Sequence, residues 1–201
     1  PSFRRASTDL NATCKDAKGQ AVGVDAIGGA RANGLREILR SCGLTLEDVQ
    51  QVALPSVATQ QAMISNVIKF GVLHFDEIPV IEAQGKPIKT VITLNEVNPN
   101  SHFAMLAVRR AQLAANRDVY VKTIAGIIAA ARFMTDPKNA DRFAELVLRQ
   151  GVSKDDLKSA LKRFLAVNYW PTDDDGLTQS RLEGVIATSV RSGGIRPGST
   201  P

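Results

Sequence analysis

Cysteine is scarce in this 201-residue chain: Cys14 and Cys42 are its only two. One pair at that spacing matches no zinc framework and excludes a disulfide-dense miniprotein. It permits a single bridge without demanding one, and two free thiols are the expectation. Aromatic residues make up only 5%, and no window interleaves them with Lys and Arg as a nucleic-acid groove would. No nucleic-acid partner is expected. Long apolar runs are missing as well: an apolar, uncharged stretch such as Thr123 to Ala131 is far short of the ~20 apolar residues that span a bilayer. Pro1-Ser2-Phe3-Arg4-Arg5 leads into no apolar segment, so a signal peptide is not expected among these residues. There is no Walker loop, no G-x-G-x-x-G, no G-x-S-x-G, no H-E-x-x-H and no Cys–His pair. Neither a cofactor nor a metal is expected.

What remains is ordinary for a water-soluble globular chain. Hydrophobic residues account for 44% and charged residues for 22%, with 25 basic against 20 acidic side chains and a net charge of +5. A chain of this length buries about 70% of its unfolded surface and holds a core without staples. The length fits one or two domains.

Residues 1–17 carry no period and read as a lead-in. Ala21-Val22-Gly23-Val24 is a short buried strand, followed by the glycine turn Asp25-Ala26-Ile27-Gly28-Gly29. Leu35, Ile38, Leu39 and Cys42 recur at helical spacing, and Gly43 is a natural stop. Thr45 and Asp48 make a capping-box pair. Further strands are expected over Val49 to Leu54, Val67 to Phe75, Ile88 to Leu94 and Phe103 to Val108, with helices from Ser56 through Ile64 and over Ile78 to Ala83. Strand alternating with helix predicts a mainly parallel sheet covered on both faces. After Arg109 the pattern is helical throughout. One stripe is Ile124, Ile127, Ile128, Ala131 and Met134. A second helix opens at Asp136-Pro137 with Phe143, Leu146 and Val147 on its buried face, and Gly151 ends it. Ser153 and Asp156 cap a third, and Thr172 and Asp175 a fourth that stops at Gly193-Gly194. Trp170, Tyr169 and Phe164 read as core, and residues 196–201 as a disordered tail.

Three constellations sit at predicted strand ends. Gly28-Gly29-Ala30-Arg31 opens a helix, where free N–H groups hold an anion or a polar head, or else simply make a tight turn. Ser56 reads as a helix cap that also stands at a strand end. His74-Phe75-Asp76-Glu77 invites acid–base or metal chemistry, but a cap by Asp76 with Glu77 in the first turn explains both acids. In open parallel sheets ligands bind beyond the carboxyl ends of the strands. Gly28, Gly29, Ala30, Arg31, Ser56, His74, Phe75, Asp76, Glu77 and Asn95 are therefore expected to converge along one rim, the default binding site.

The order of segments carries a resemblance. Lys18-Gly19-Gln20-Ala21-Val22-Gly23-Val24 with Gly28-Gly29, then Leu39-Arg40-Ser41-Cys42-Gly43-Leu44 with Glu47-Asp48-Val49, then Ala62-Met63-Ile64 through Leu73-His74-Phe75, and finally Phe103 to Arg109 resemble the NMT1/THI5-like (SsuA-like, TauA-like) substrate-binding proteins of ABC importers. Asn66 stands where that family often has Gly, in a left-handed turn that Asn tolerates. The resemblance implies an α/β fold: a periplasmic-binding-protein type II-like lobe with a mainly parallel sheet over residues 18–108, followed by an all-helical C-terminal segment over 109–195. The first half of the other lobe would lie outside this chain. It further implies a small organic or anionic ligand of the sulfonate, nitrate, taurine or pyrimidine-precursor class, a permease and an ATPase as partners, and a periplasmic or otherwise exported location. By position, Gly28, Gly29, Ala30 and Ser56 would hold the ligand's polar group, with His74 to Asp76 lining the cleft. The family's thiamin-pyrimidine enzymes carry a cysteine-rich motif that is absent here, so a non-enzymatic binding protein is expected ahead of that alternative or of a ligand-sensing domain of the same fold. The apolar helical stripes need cover, from a homodimer or from chain beyond this sequence.

Overall fold

The computed structural model describes residues 16–99, 106–148, 152–170 and 178–200. The chain divides into two units, residues 1–99 and 100–201, and each is taken by itself.

The first unit is built on a three-stranded parallel sheet of order β2-β1-β3, with β1 (Ala21–Val24) central, β2 (Gln50–Ala53) and β3 (Phe70–Gly71). β1 pairs with β2 from Ala21↔Gln50 to Val24↔Ala53, and with β3 at Val22↔Phe70 and Gly23↔Gly71. Helices α1 (Ala30–Ser41) and α2 (Ser56–Ile64) connect the strands, followed by α3 (Ile78–Glu82) and the one-turn α4 (Leu94–Val97). Alternation along β1 assigns the two faces. Val22 and Val24 point into a core with Ala32, Leu35 and Leu39 of α1 and with Val49. Gly23 points the other way, where an added Cβ would lie 2.9 Å from both Ile68 Cδ1 and Thr59 Cγ2. The missing side chain is what lets α2 lie close on that face. The sheet is covered on both sides, as the alternating pattern predicts.

Local signals written in the sequence are realised here. α1 ends with Gly43 at φ 75°, the Gly43 N–H bonded to Arg40 O and the Leu44 N–H to Leu39 O, a Schellman closure that needs a left-handed residue. α2 ends the same way with Asn66 at φ 58°. Thr45 and Asp48 form their capping box.

Three expectations for this region are corrected. The third strand is only two residues long, because the Val72 carbonyl is taken by the Arg31 side chain instead of a ladder partner. Ile88 to Leu94 is no strand: Thr93 and Glu96 form a capping box that turns the chain into α4. That Thr-x-x-Glu spacing was legible, and local hydrogen bonding outweighs β propensity there. Cys42 is not a free thiol but disulfide-bonded; Cys14, the chain's other cysteine, lies outside the described residues. Of the expected fifth strand, Phe103 to Met105 also lie outside them, and Leu106 to Val108 are irregular.

The second unit is helical where described: α5 (Arg110–Ala115), α6 (Arg117–Thr135), α7 (Ala140–Leu146), α8 (Lys154–Ala166) and α9 (Gln179–Arg191). Asp136 accepts the Lys138 N–H over a short 3-10 turn that has Pro137 at its start. Ser153 and Asp156 make the expected capping box for α8, whereas Gly151, Thr172 and Asp175 lie outside the described residues. α8 closes on left-handed Asn168 (φ 50°), with the Tyr169 N–H on Phe164 O. The rings of Phe164, Tyr169 and Trp170 meet edge-to-face or tilted, with centroids 4.7–5.2 Å apart, but stay half-buried. α7 packs on α8 through Ala144 (0% exposed), against a helix whose Leu157, Ala160 and Leu161 are buried. Leu146 and Val147, expected inside, are exposed. A small residue permits the closer approach, so the larger neighbours stay at the edge. No residue of α6 is buried, and Ile124 and Ile127 are each 48% exposed. Among the described residues no helix is long and apolar enough to cross a membrane.

Surface charges give a pH prediction. The Thr45 backbone N–H and then Lys18 hold the Asp48 carboxyl below the ordinary aspartate value, and Arg142 and then Lys154 do the same for Glu145. Each therefore contributes fully above its unfolded value, about 4, and loses that contribution as pH falls through the lower folded one. Lys158, raised chiefly by Asp141, contributes fully below about 10.4 and loses it as pH rises through the higher folded value. Urea midpoints are expected to decline below about pH 4 and again above about pH 10.5. A midpoint that climbs on acidification would contradict these assignments.

Candidate functional site

The carboxyl ends of the three strands are joined by one buried ion pair. Arg31 stands in the first turn of α1 and is 6% exposed, and Glu77, just before α3, is 4% exposed. Arg31 Nη2 donates to Glu77 Oε1 at 3.0 Å and to Ser56 Oγ at 2.8 Å, while Nη1 donates to Val72 O at 2.9 Å. The second carboxylate oxygen of Glu77 accepts the His74 N–H at 2.6 Å, and Gln60 Nε2 donates to Oε1 at 3.3 Å. One guanidinium thus ties the loop after β1, the start of α2 and the loop after β3. Burying an ion pair is costly unless hydrogen bonds offset the lost solvation, and here both Glu77 carboxylate oxygens and both terminal nitrogens of Arg31 are hydrogen-bonded.

The glycine turn is organised by a second carboxylate. Asp25 Oδ1 accepts the Ala26 N–H at 2.9 Å and the Arg31 N–H at 3.2 Å, so the side chain sits over the N-terminus of α1. Gly28 adopts φ 77°, which turns the chain back towards Asp25. A Cβ on Gly29 would lie 2.7 Å from Asp25 Oδ1 and 3.0 Å from Oδ2. The bare backbone at Gly29 leaves room for the carboxylate.

Of the residues expected on the rim, the structure brings Arg31, Ser56 and His74 into one hydrogen-bonded network. Gly28, Gly29 and Ala30 form the adjoining turn, and Phe75 and Asp76 the half-buried turn between β3 and α3. Asn95 is not at a strand end: it is exposed on α4, a helix packed against α1. Two capping assignments change. Ser56 makes no cap hydrogen bond and instead accepts from Arg31, and the cap position of α3 belongs to Glu77, not Asp76. Glu77, the last residue of the His74-Phe75-Asp76-Glu77 constellation, joins this network as expected of the rim, whereas Asp25 and Gln60 take part without having been singled out. For Asp25 the available signal was an acid five residues ahead of a helix that lacks any acid in its first turn. Nothing local marks Gln60, and nothing local says that Glu77 pairs with Arg31, because the two are 46 positions apart and meet only through the fold.

Chemically, the cluster is a preorganised polar rim. Among the described residues, no group of three or more His, Cys, Asp or Glu side chains is placed to hold a metal ion. No curated protein and no solved structure matches the chain. Residues 4–140, about two thirds of the chain, match the family described as NMT1/THI5 like, and the chain belongs to that family of ligand-binding, transporter-associated and THI5-type proteins.

Proposed function

We propose that the chain is the solute-binding component of an ABC importer, taking a small polar ligand at the strand-end rim. Family membership carries the reading. The rim supports it: Ser56 and the turns 25–31 and 74–77 stand where parallel sheets bind ligands, held by the Arg31–Glu77 pair before any ligand arrives. The disulfide at Cys42 supports a periplasmic or otherwise exported location, since structural disulfides persist in oxidising compartments. A permease and an ATPase are the corresponding partners. The exposed apolar face of α6 fits association with a second copy of the chain.

Titration calorimetry against sulfonates, nitrate, taurine and pyrimidine precursors tests this reading. One-to-one saturable binding of at least one of these compounds, without chemical change, is the expected result. Steady turnover of any of these compounds would overturn it in favour of a THI5-type enzyme. Light scattering tests the association: a dimer is expected, and a strictly monomeric chain would remove that part.

A further inference from the structure

Both groups that would greet an anion at this rim are already neutralised by the chain's own carboxylates. Arg31 is buried and spends its guanidinium on Glu77, Ser56 and Val72 O. The N-terminus of α1, the other positive feature, is covered by Asp25 through the Ala26 and Arg31 N–H groups. Glu77 is paired with the guanidinium, whereas Asp25 meets only backbone N–H groups and pairs with no cationic side chain among the described residues. Asp25 Oδ1 accepts both hydrogen bonds, and Oδ2 accepts none among the described residues. The half-buried carboxylate therefore retains acceptor capacity. Two large apolar side chains stand exposed on the segments that form the rim. Ile27, in the same turn, is 63% exposed, and Val57, next to Ser56, is 69% exposed.

We propose that this rim selects a small organic cation or N–H donor rather than an anion, with Asp25 as the specificity-determining acceptor and Ile27 and Val57 meeting the ligand's apolar body. The proposal rests on the rim being the ligand site. An incoming anion would meet the Asp25 charge and would have to displace it from two hydrogen bonds. A cation or donor gains a charge-assisted hydrogen bond with nothing displaced.

Two probes with one aromatic body and opposite heads test this: benzylammonium and benzenesulfonate, titrated into the full chain while amide NMR shifts are followed. Benzylammonium is expected to shift the amides of Ala26, Ile27, Arg31 and Val57 saturably, and benzenesulfonate to leave them in place at equal concentration. Asp25→Asn, which keeps an acceptor oxygen but removes the charge, is expected to weaken benzylammonium about tenfold or more. The comparison of probes on the unmodified chain stands even if that variant folds poorly. Saturable shifts of the same amides by benzenesulfonate, as tight as or tighter than those by benzylammonium, would overturn the selectivity while leaving the rim as the ligand site. If neither probe shifts any of these amides, the rim itself fails and the inference falls with it.

Discussion

Replacing Glu77 by alanine is expected to destabilise the first unit by about 3–5 kcal/mol, because it strands the Arg31 guanidinium inside the protein. Arg31 keeps Ser56 Oγ and Val72 O, but the His74 N–H and Gln60 lose their acceptor. Against a total stability of about 5–15 kcal/mol for a domain, that is a large fraction. Removing both charges, as in Arg31→Met with Glu77→Leu, is expected to recover much of the loss, since no unpaired charge is left in the interior. Urea unfolding of the two single variants and the double variant measures the coupling directly. A Glu77→Ala loss below about 1 kcal/mol would show that solvent reaches Arg31 and that the pair does not bind the three loops together.

The second large effect belongs to the packing at the other end of α1. Leu39 is 2% exposed and lies in the cluster with Val22, Val24, Ala32, Leu35 and Val49. Leu39→Ala is expected to cost about 2–5 kcal/mol, the transfer term plus the cavity left behind. Alanine favours the helix more than leucine does, so the loss cannot come from propensity. The capping bond from the Leu44 N–H to the Leu39 carbonyl survives because it uses backbone only. Ile38→Ala, one position along and only half-buried, is the control and is expected to cost distinctly less. Equal losses at both positions would mean that the helix face is rotated from the one described.

These two variants also divide what can be read locally from what cannot. Leu39 belongs to a stripe visible in the sequence, because helical periodicity and burial on one face are the same geometric fact. The stripe on α7 was misread for a related reason. Spacing places Phe143, Leu146 and Val147 on one side, but the helix approaches α8 through Ala144, and closeness of approach depends on the partner. The Asn66 and Gly43 closures and the boxes at Thr45 and Ser153 were legible because their hydrogen bonds span a few residues. The Thr93–Glu96 box was equally local, and there an apolar run was given too much weight against it.

By itself, the sequence determined the parallel α/β arrangement, the order of its first two strands and helices, the helix ends at Gly43, Asn66 and Ser153, the family and the location of the glycine turn. All of these follow from periodicities and short-range hydrogen bonds that one stretch of chain carries alone. Only the tertiary structure decided what the rim residues do. Arg31 and Glu77 are 46 positions apart and meet because parallel strands bring successive loops to the same edge of the sheet. Once they meet, burial requires that the charges be paired. The arginine that spacing offers to a ligand is thereby spent within the chain, and the carboxylate of Asp25 takes the place at α1 that the glycine turn had seemed to keep for an anion.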